Sequence, residues 1–199
     1  MRVDDLIQSD DLREELLILL ERCSEFLEES GGQPLLKNLP SEYGDFHKVK
    51  VRLRKSHKED TSDFMDTFNE AFEDQLHNLR QRAVFANGPV SFESADSDEL
   101  EPFYIFPIDG FQYMYSKEVE DSSEDYKAVF DAIFEQFGSD KGNEVITDLL
   151  KFTYTSARLD EGIESGSEII IYNIPYFYAI RASTVDDYST LLTIIQEIQ

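Results

Sequence analysis

Phe103-Tyr104-Ile105-Phe106-Pro107-Ile108-Asp109-Gly110-Phe111-Gln112-Tyr113-Met114-Tyr115 sets two β-rich runs on either side of an aspartate-glycine pair. That pair supplies the positive φ angles of a tight turn, so the stretch predicts a β-hairpin over 103–115. Pro107 cannot donate to a ladder, which places its strand at an edge or makes it irregular near the turn. Both faces of the runs are apolar or aromatic, which predicts a sheet covered on both sides. A second pair, Glu168 to Tyr172 and Tyr176 to Ala182, is linked through Asn173-Ile174-Pro175 and predicts another hairpin over 168–182.

Helical periods surround these runs. Leu12, Leu16, Leu19, Leu20, Cys23, Phe26 and Leu27 share one face of a helix from about 9 to 30, capped by Ser9 and ended by Gly31-Gly32. Residues 33–45, with Pro34, Pro40 and Gly44, read as an extended connector. A helix over 61–82 buries Phe64, Phe68, Ala71, Phe72, Leu76 and Leu79. Another over 124–137 buries Tyr126, Val129, Phe130, Ile133, Phe134 and Phe137 and ends at Gly138. A shorter one runs over 143–151. The last uses Val185, Tyr188, Leu191, Leu192 and Ile195, with Thr184 and Asp187 marking its start. Strands and helices mix without strict βαβ alternation. The expected class is α+β: a mainly antiparallel sheet packed by about five helices, in a single domain over 1–199 with a flexible acidic loop near 86–102.

Phe46 to Lys55 alternates with period two. Its inner face carries His47, Val49, Val51 and Leu53, and its outer face carries Lys48, Lys50, Arg52 and Arg54. Half of the chain's basic side chains fall between Lys37 and Arg82. The rest of the molecule is acidic: 42 Asp and Glu against 18 Lys and Arg give a formal net charge of -24 over 199 residues. Such a charge opposes casual contact with nucleic acid or an anionic membrane. No run approaches the roughly 18 apolar residues of a membrane helix. No signal sequence opens the chain, and one cysteine excludes a disulfide framework, so a cytoplasmic protein is expected.

Catalytic signatures are lacking. The histidines His47, His57 and His77 sit in no nucleophile motif, and Gly162 to Gly166 lacks the spacing of a phosphate loop. Asp63, Asp66, Glu70, Glu73 and His77 share a helical face that could ligate a divalent metal, but a solvated polar surface gives the same pattern and is far commoner. Lys151-Phe152-Thr153-Tyr154-Thr155-Ser156 resembles the aromatic Ser-Thr-Ser strand of ADP-ribosyltransferases, with Arg52 or Arg54 in place of the family's early arginine. The resemblance covers six residues, and the family's Glu-x-Glu or Gln-x-Glu loop is missing: Glu161, Glu164 and Glu168 come too soon.

These features point to a small acidic, non-catalytic protein that binds and modulates a protein partner. By mimicking the charge of a nucleic-acid backbone it would occupy the basic cleft of a nucleic-acid-handling protein. Viral and mobile-element accessory proteins share this composition. The partner-binding candidates are Lys48, Lys50, Arg52 and Arg54 on the basic strand, and Asp96, Asp98, Glu99 and Glu101 in the acidic loop. No cofactor, metal, membrane or direct DNA contact is expected. The alternative is an enzyme acting on a nucleotide or phosphorylated substrate, with Arg52 and Arg54 as clamps.

Overall fold

In the computed structural model, Asp109-Gly110 does turn the chain: the Phe111 N–H donates to Ile108 O at 3.2 Å, and Gly110 has φ +82°. The strands it joins do not pair with each other. The described residues are 10–52, 62–75, 77–119, 122–185 and 187–198. Among them the order is α1 (Asp10–Arg22), α2 (Ser24–Glu29), β1 (Leu35–Pro40), β2 (Phe46–Lys50), α3 (Ser62–Ala71), α4 (Leu79–Arg82), β3 (Val84–Asn87), β4 (Leu100–Pro107) and β5 (Gln112–Met114). Then come α5 (Ser122–Phe137), α6 (Ser139–Thr153), α7 (Leu159–Glu164), β6 (Glu168–Tyr172), β7 (Tyr176–Arg181), a 3₁₀ turn (Ala182–Thr184) and α8 (Tyr188–Ile198). All seven strands join one sheet in the order β2-β7-β4-β1-β3-β6-β5, and every pairing is antiparallel. The fold is α+β, as the mixed order of elements predicts.

Both expected hairpins are replaced by one structure. β4 pairs with β7 and β5 pairs with β6, so 100–114 and 168–181 form one long antiparallel ribbon. From Pro107↔Phe177 to Gln112↔Tyr172 the two strands advance by the same number of residues, so register carries through the interruption. Both strands turn a corner together, with a positive φ on each: Gly110 at +82° and Asn173 at +63°. Pro175, which has no N–H, lies in the same corner and breaks the ladder there. A flat sheet would hold β6 and β7 about 19 Å apart, four strand spacings. The link from Tyr172 to Tyr176 spans at most about 14 Å. The sheet therefore curls, and β1 meets β3 at one position only, Leu36↔Asn87.

The corner is pinned from outside. The Asp109 carboxylate accepts from the Glu25 backbone N–H at 2.9 Å and from Ser24 Oγ at 3.1 Å, while the Gly110 N–H donates to Glu25 Oε2 at 2.7 Å. The expected single helix over 9–30 is thereby split at Cys23, whose φ of -129° and ψ of 26° leave the helical region. Asp109 caps the second piece from a distant strand.

Two strands escape the sequence patterns. β1 lies inside the expected connector, bracketed by Pro34 and Pro40. β3 is four residues long and mostly buried, so it shows no alternation. With β3 and β4 claiming both ends, the irregular acidic segment shrinks to 88–99. The helix expected over 61–82 breaks after Ala71 and resumes at Leu79, following Asn78 in the left-handed region at φ +57°. α6 runs from Ser139 to Thr153, beyond both ends of the helix expected over 143–151, so the stretch likened to an ADP-ribosyltransferase strand begins as helix. Only Thr155 reaches a strand partner, Tyr115.

The sheet is covered on both faces. Phe103, Ile105, Tyr113, Ile169, Ile171, Phe177 and Ala179 share one face of the ribbon and one buried cluster. On the other face, Phe106 of β4 meets Phe26 at 5.9 Å and Tyr188 at 6.2 Å, so α2 and α8 cover the first half. Met114, Ile170 and Tyr172 of the second half join Phe68, Phe72, Tyr126, Phe130, Ile146 and Leu150 from α3, α5 and α6 and the turn after α3.

Candidate functional site

Among the described residues β2 is an edge strand, bonded to β7 alone. Lys48, Lys50 and Arg52 are exposed and enter no ion pair among the described residues. Arg54 lies outside the described residues. Phe46 is half-buried on the same face as the lysines and stacks on Tyr178 at 5.5 Å. Lys48 Nζ rests 3.7 Å from the Tyr176 ring centroid, a cation–π geometry that holds the ammonium against the sheet. On the opposite face His47 stacks on Tyr43 at 4.1 Å.

Asp96, Asp98 and Glu99 are exposed in the irregular segment 88–99. The segment is tied to its neighbours: Asn38 Nδ2 donates to Glu93 O at 2.8 Å and the Ser41 N–H to Glu99 O at 2.8 Å. Glu101 is engaged internally. Arg181 binds its carboxylate, reaches Asp45 at 3.1 Å, and donates to the carbonyls of Ser41 and Tyr43. The acidic candidates therefore gather at the end of the sheet where β2 begins. The cations run away from it toward the corner, where the Val51 N–H donates to Pro175 O at 3.0 Å. The two sets do not form one site.

A carboxylate assembly missed in the sequence lies between α3 and α6. Two adjoining hollows share Glu70 and Asn143. One, of about 480 Å³, adds Asp66, Thr67, Phe134 and Ser139. The other, of about 710 Å³, adds Asp140, Glu144, Thr147, Asp148 and Lys151. Asp140, Glu144 and Asp148 stand four residues apart on α6, about 6 Å per step along the axis. Phe152, 89% exposed, continues that row. Thr67 Oγ1 donates to Asn143 Oδ1 at 3.3 Å and ties the two helices together. Of the helical face expected to carry Asp63, Asp66, Glu70, Glu73 and His77, Asp66 and Glu70 enter this trough. Glu73 and His77 lie beyond the end of α3 and bond each other at 3.3 Å. The side chain of Asp63 is outside the described residues. No group of three or more side chains that can hold a metal occurs among the described residues.

A third groove, of about 470 Å³, separates α1 and α2 from α8, with Leu20, Leu27, Leu192 and Ile195 on its walls and Glu28 at its rim. None of these three hollows takes a residue from β2. No helix among the described residues is long and apolar enough to cross a membrane.

A polar knot crosses the core beside the trough. Arg80, 7% exposed, lies between the Phe68 and Phe85 rings at 5.1 and 4.6 Å and donates to Ser122 Oγ. Ser122 in turn donates to Glu168 Oε2 at 2.5 Å. Burial, with Glu168 nearby, pushes the Tyr154 hydroxyl far above its ordinary range. These groups bind one another across α4, α5 and β6 and hold the second half of the sheet to its helices.

No protein-family model, curated protein or solved structure matches the chain.

Proposed function

We propose that this is a non-catalytic binding protein that presents carboxylates to the basic cleft of a nucleic-acid-handling partner and so blocks or modulates it. The observation that carries this reading is the trough between α3 and α6, where Asp66 and Glu70 face Asp140, Glu144 and Asp148, with Lys151 as the one cation among the described residues on its walls. Clefts that track a nucleic-acid backbone answer a repeating line of anions. The α6 row supplies such a line on a rigid helix. With a net charge of -24, the long-range field steers a cationic partner inward.

Capture from a native-host lysate tests this, comparing the wild-type chain with a variant carrying Asp66→Asn, Glu70→Gln, Asp140→Asn, Glu144→Gln and Asp148→Asn. The wild type is expected to retain a nucleic-acid-binding protein at low salt, release it at high salt, and lose it to added duplex DNA. The variant is expected to retain none, whereas any one of the five changes alone has little effect. Retention that survives the five changes, or ignores DNA, sinks the reading.

A further inference from the structure

The Val51 N–H donates to Pro175 O and the Arg181 N–H to Asp45 O, so the odd residues of β2 turn their backbone groups toward β7. Alternation in an antiparallel pair then turns the N–H and C=O of Phe46, Lys48 and Lys50 to the other side. No described strand pairs there. Beside this edge stand Lys48, Lys50 and Arg52, which pair with no acid among the described residues of a chain of net charge -24. An open strand edge offers main-chain bonds to an extended peptide. Alternate side chains, about 6–7 Å apart, offer the matching specificity.

We propose that the outer edge of β2 takes up an extended acidic segment of a partner protein as an added strand, with alternate Asp or Glu side chains opposite Lys48 and Lys50. The sign of the charge selects this occupant. A second copy pairing β2 against β2 would set these lysines against each other, which destabilises a cross-strand pair. The segment's carboxylates meet cations that enter no ion pair among the described residues. This surface is separate from the acidic trough and does not depend on it.

A fluorescent seven-residue peptide alternating Glu with Val and Thr is the probe, read by anisotropy together with amide hydrogen exchange of the full chain. Saturable binding is expected, with new protection at the amides of Lys48 and Lys50. The same peptide with Lys in place of Glu should not bind. Lys48→Glu with Lys50→Glu should weaken binding about tenfold or more. Lys48→Pro removes one outward donor, and an edge strand tolerates proline on that side. It should bind about threefold to tenfold more weakly than Lys48→Ala, the loss of one hydrogen bond. The proposal is overturned if the Glu peptide does not saturate, if the Lys peptide binds equally, or if binding leaves those amides unprotected. The first of these results would mark the lysines as guards against strand addition. An oligonucleotide that binds where the peptide does not would overturn it as well.

Discussion

Asp109 and Glu25 exchange hydrogen bonds across 84 residues of chain: the Glu25 N–H donates to the Asp109 carboxylate, and the Glu25 carboxylate accepts from the Gly110 N–H beside it. The exchange joins the start of α2 to the corner of the ribbon. Asp109→Ala removes the cap and leaves the first turn of α2 without its acceptor. The expected cost is about 1 kcal/mol, which lowers Tm by about 2–4 °C for a chain of this size. Asp109→Asn keeps an acceptor and should cost less. Calorimetry of the two variants checks the order; equal losses would show that charge, and not the acceptor, matters.

Gly162 of α7 lies flat on the ring of Tyr115. A Cβ there would come within 2.8 Å of the ring carbons. Tyr115 is 1% exposed and its hydroxyl donates to Ala157 O and Arg158 O, so the ring has nowhere to go. Gly162→Ala gains about 1 kcal/mol of helix propensity and loses about 1–3 kcal/mol to overpacking. Net destabilisation is expected in urea titration. The loss should shrink in a Tyr115→Leu background, where the space opens.

Cys23 is fully buried and lies 3.6 Å from Phe106 O. Burial, with the Asp109 charge adding to it, pushes its thiol far above the ordinary 9.0. A raised folded pKa contributes stability that is complete below the unfolded value and is lost as pH rises past it. Buried Tyr188 and Tyr154 act in the same sense from 10.0 upward. Iodoacetamide should therefore leave the native protein unlabelled and react once it unfolds. Tm should fall as pH climbs beyond about 9, and Cys23→Ala should remove the earliest part of that fall. Rapid labelling of the folded chain would refute this account.

The acid limb has the opposite sign. Lys117 bonds Glu161 at 2.7 Å and Arg158 bonds Asp160 at 2.9 Å, and both carboxyls are held below their ordinary values of 4.5 and 3.8. Asp187 is lowered by the Ser189 hydroxyl and by Thr190, whose N–H it caps at 2.7 Å. A lowered folded pKa contributes stability above the unfolded value that is lost as pH falls through the folded one. Thermal melts at decreasing pH should show Tm dropping below about pH 4.5, with a shallower slope in Glu161→Gln. An unchanged slope would assign the acid limb elsewhere.

Much of the core is legible in the sequence because helical periods fix faces. Leu16, Leu19, Cys23 and Phe26 are buried as their spacing requires, and so are Tyr126, Phe130, Leu191 and Ile195. The outer flank of the α5 stripe is not: Val129 and Phe137 are 41% and 38% exposed. Strand pairing is not legible either. Asp109-Gly110 makes the turn its chemistry demands, yet whether a turn closes a hairpin or bends a ribbon depends on a partner, and here the partner lies some sixty residues further on. The trough fails for the same reason. Asp66 and Glu70 form one visible row and Asp140, Glu144 and Asp148 another, but their facing is set by how α3 meets α6.

The ribbon also sets the order of events at the ribosome. Both halves of the curled sheet need 168–181, the stretch that supplies β6 and β7, and it is made after the five other described strands. Until it emerges, β4 and β5 lack their shared partner, and Phe103, Phe106 and Tyr113 have only earlier elements such as Phe26 and β1 to pack against. Contacts this distant in sequence make folding slow and leave unfinished chains open to aggregation. During that wait, the self-repulsion of a chain with 42 acidic side chains keeps neighbouring nascent copies apart.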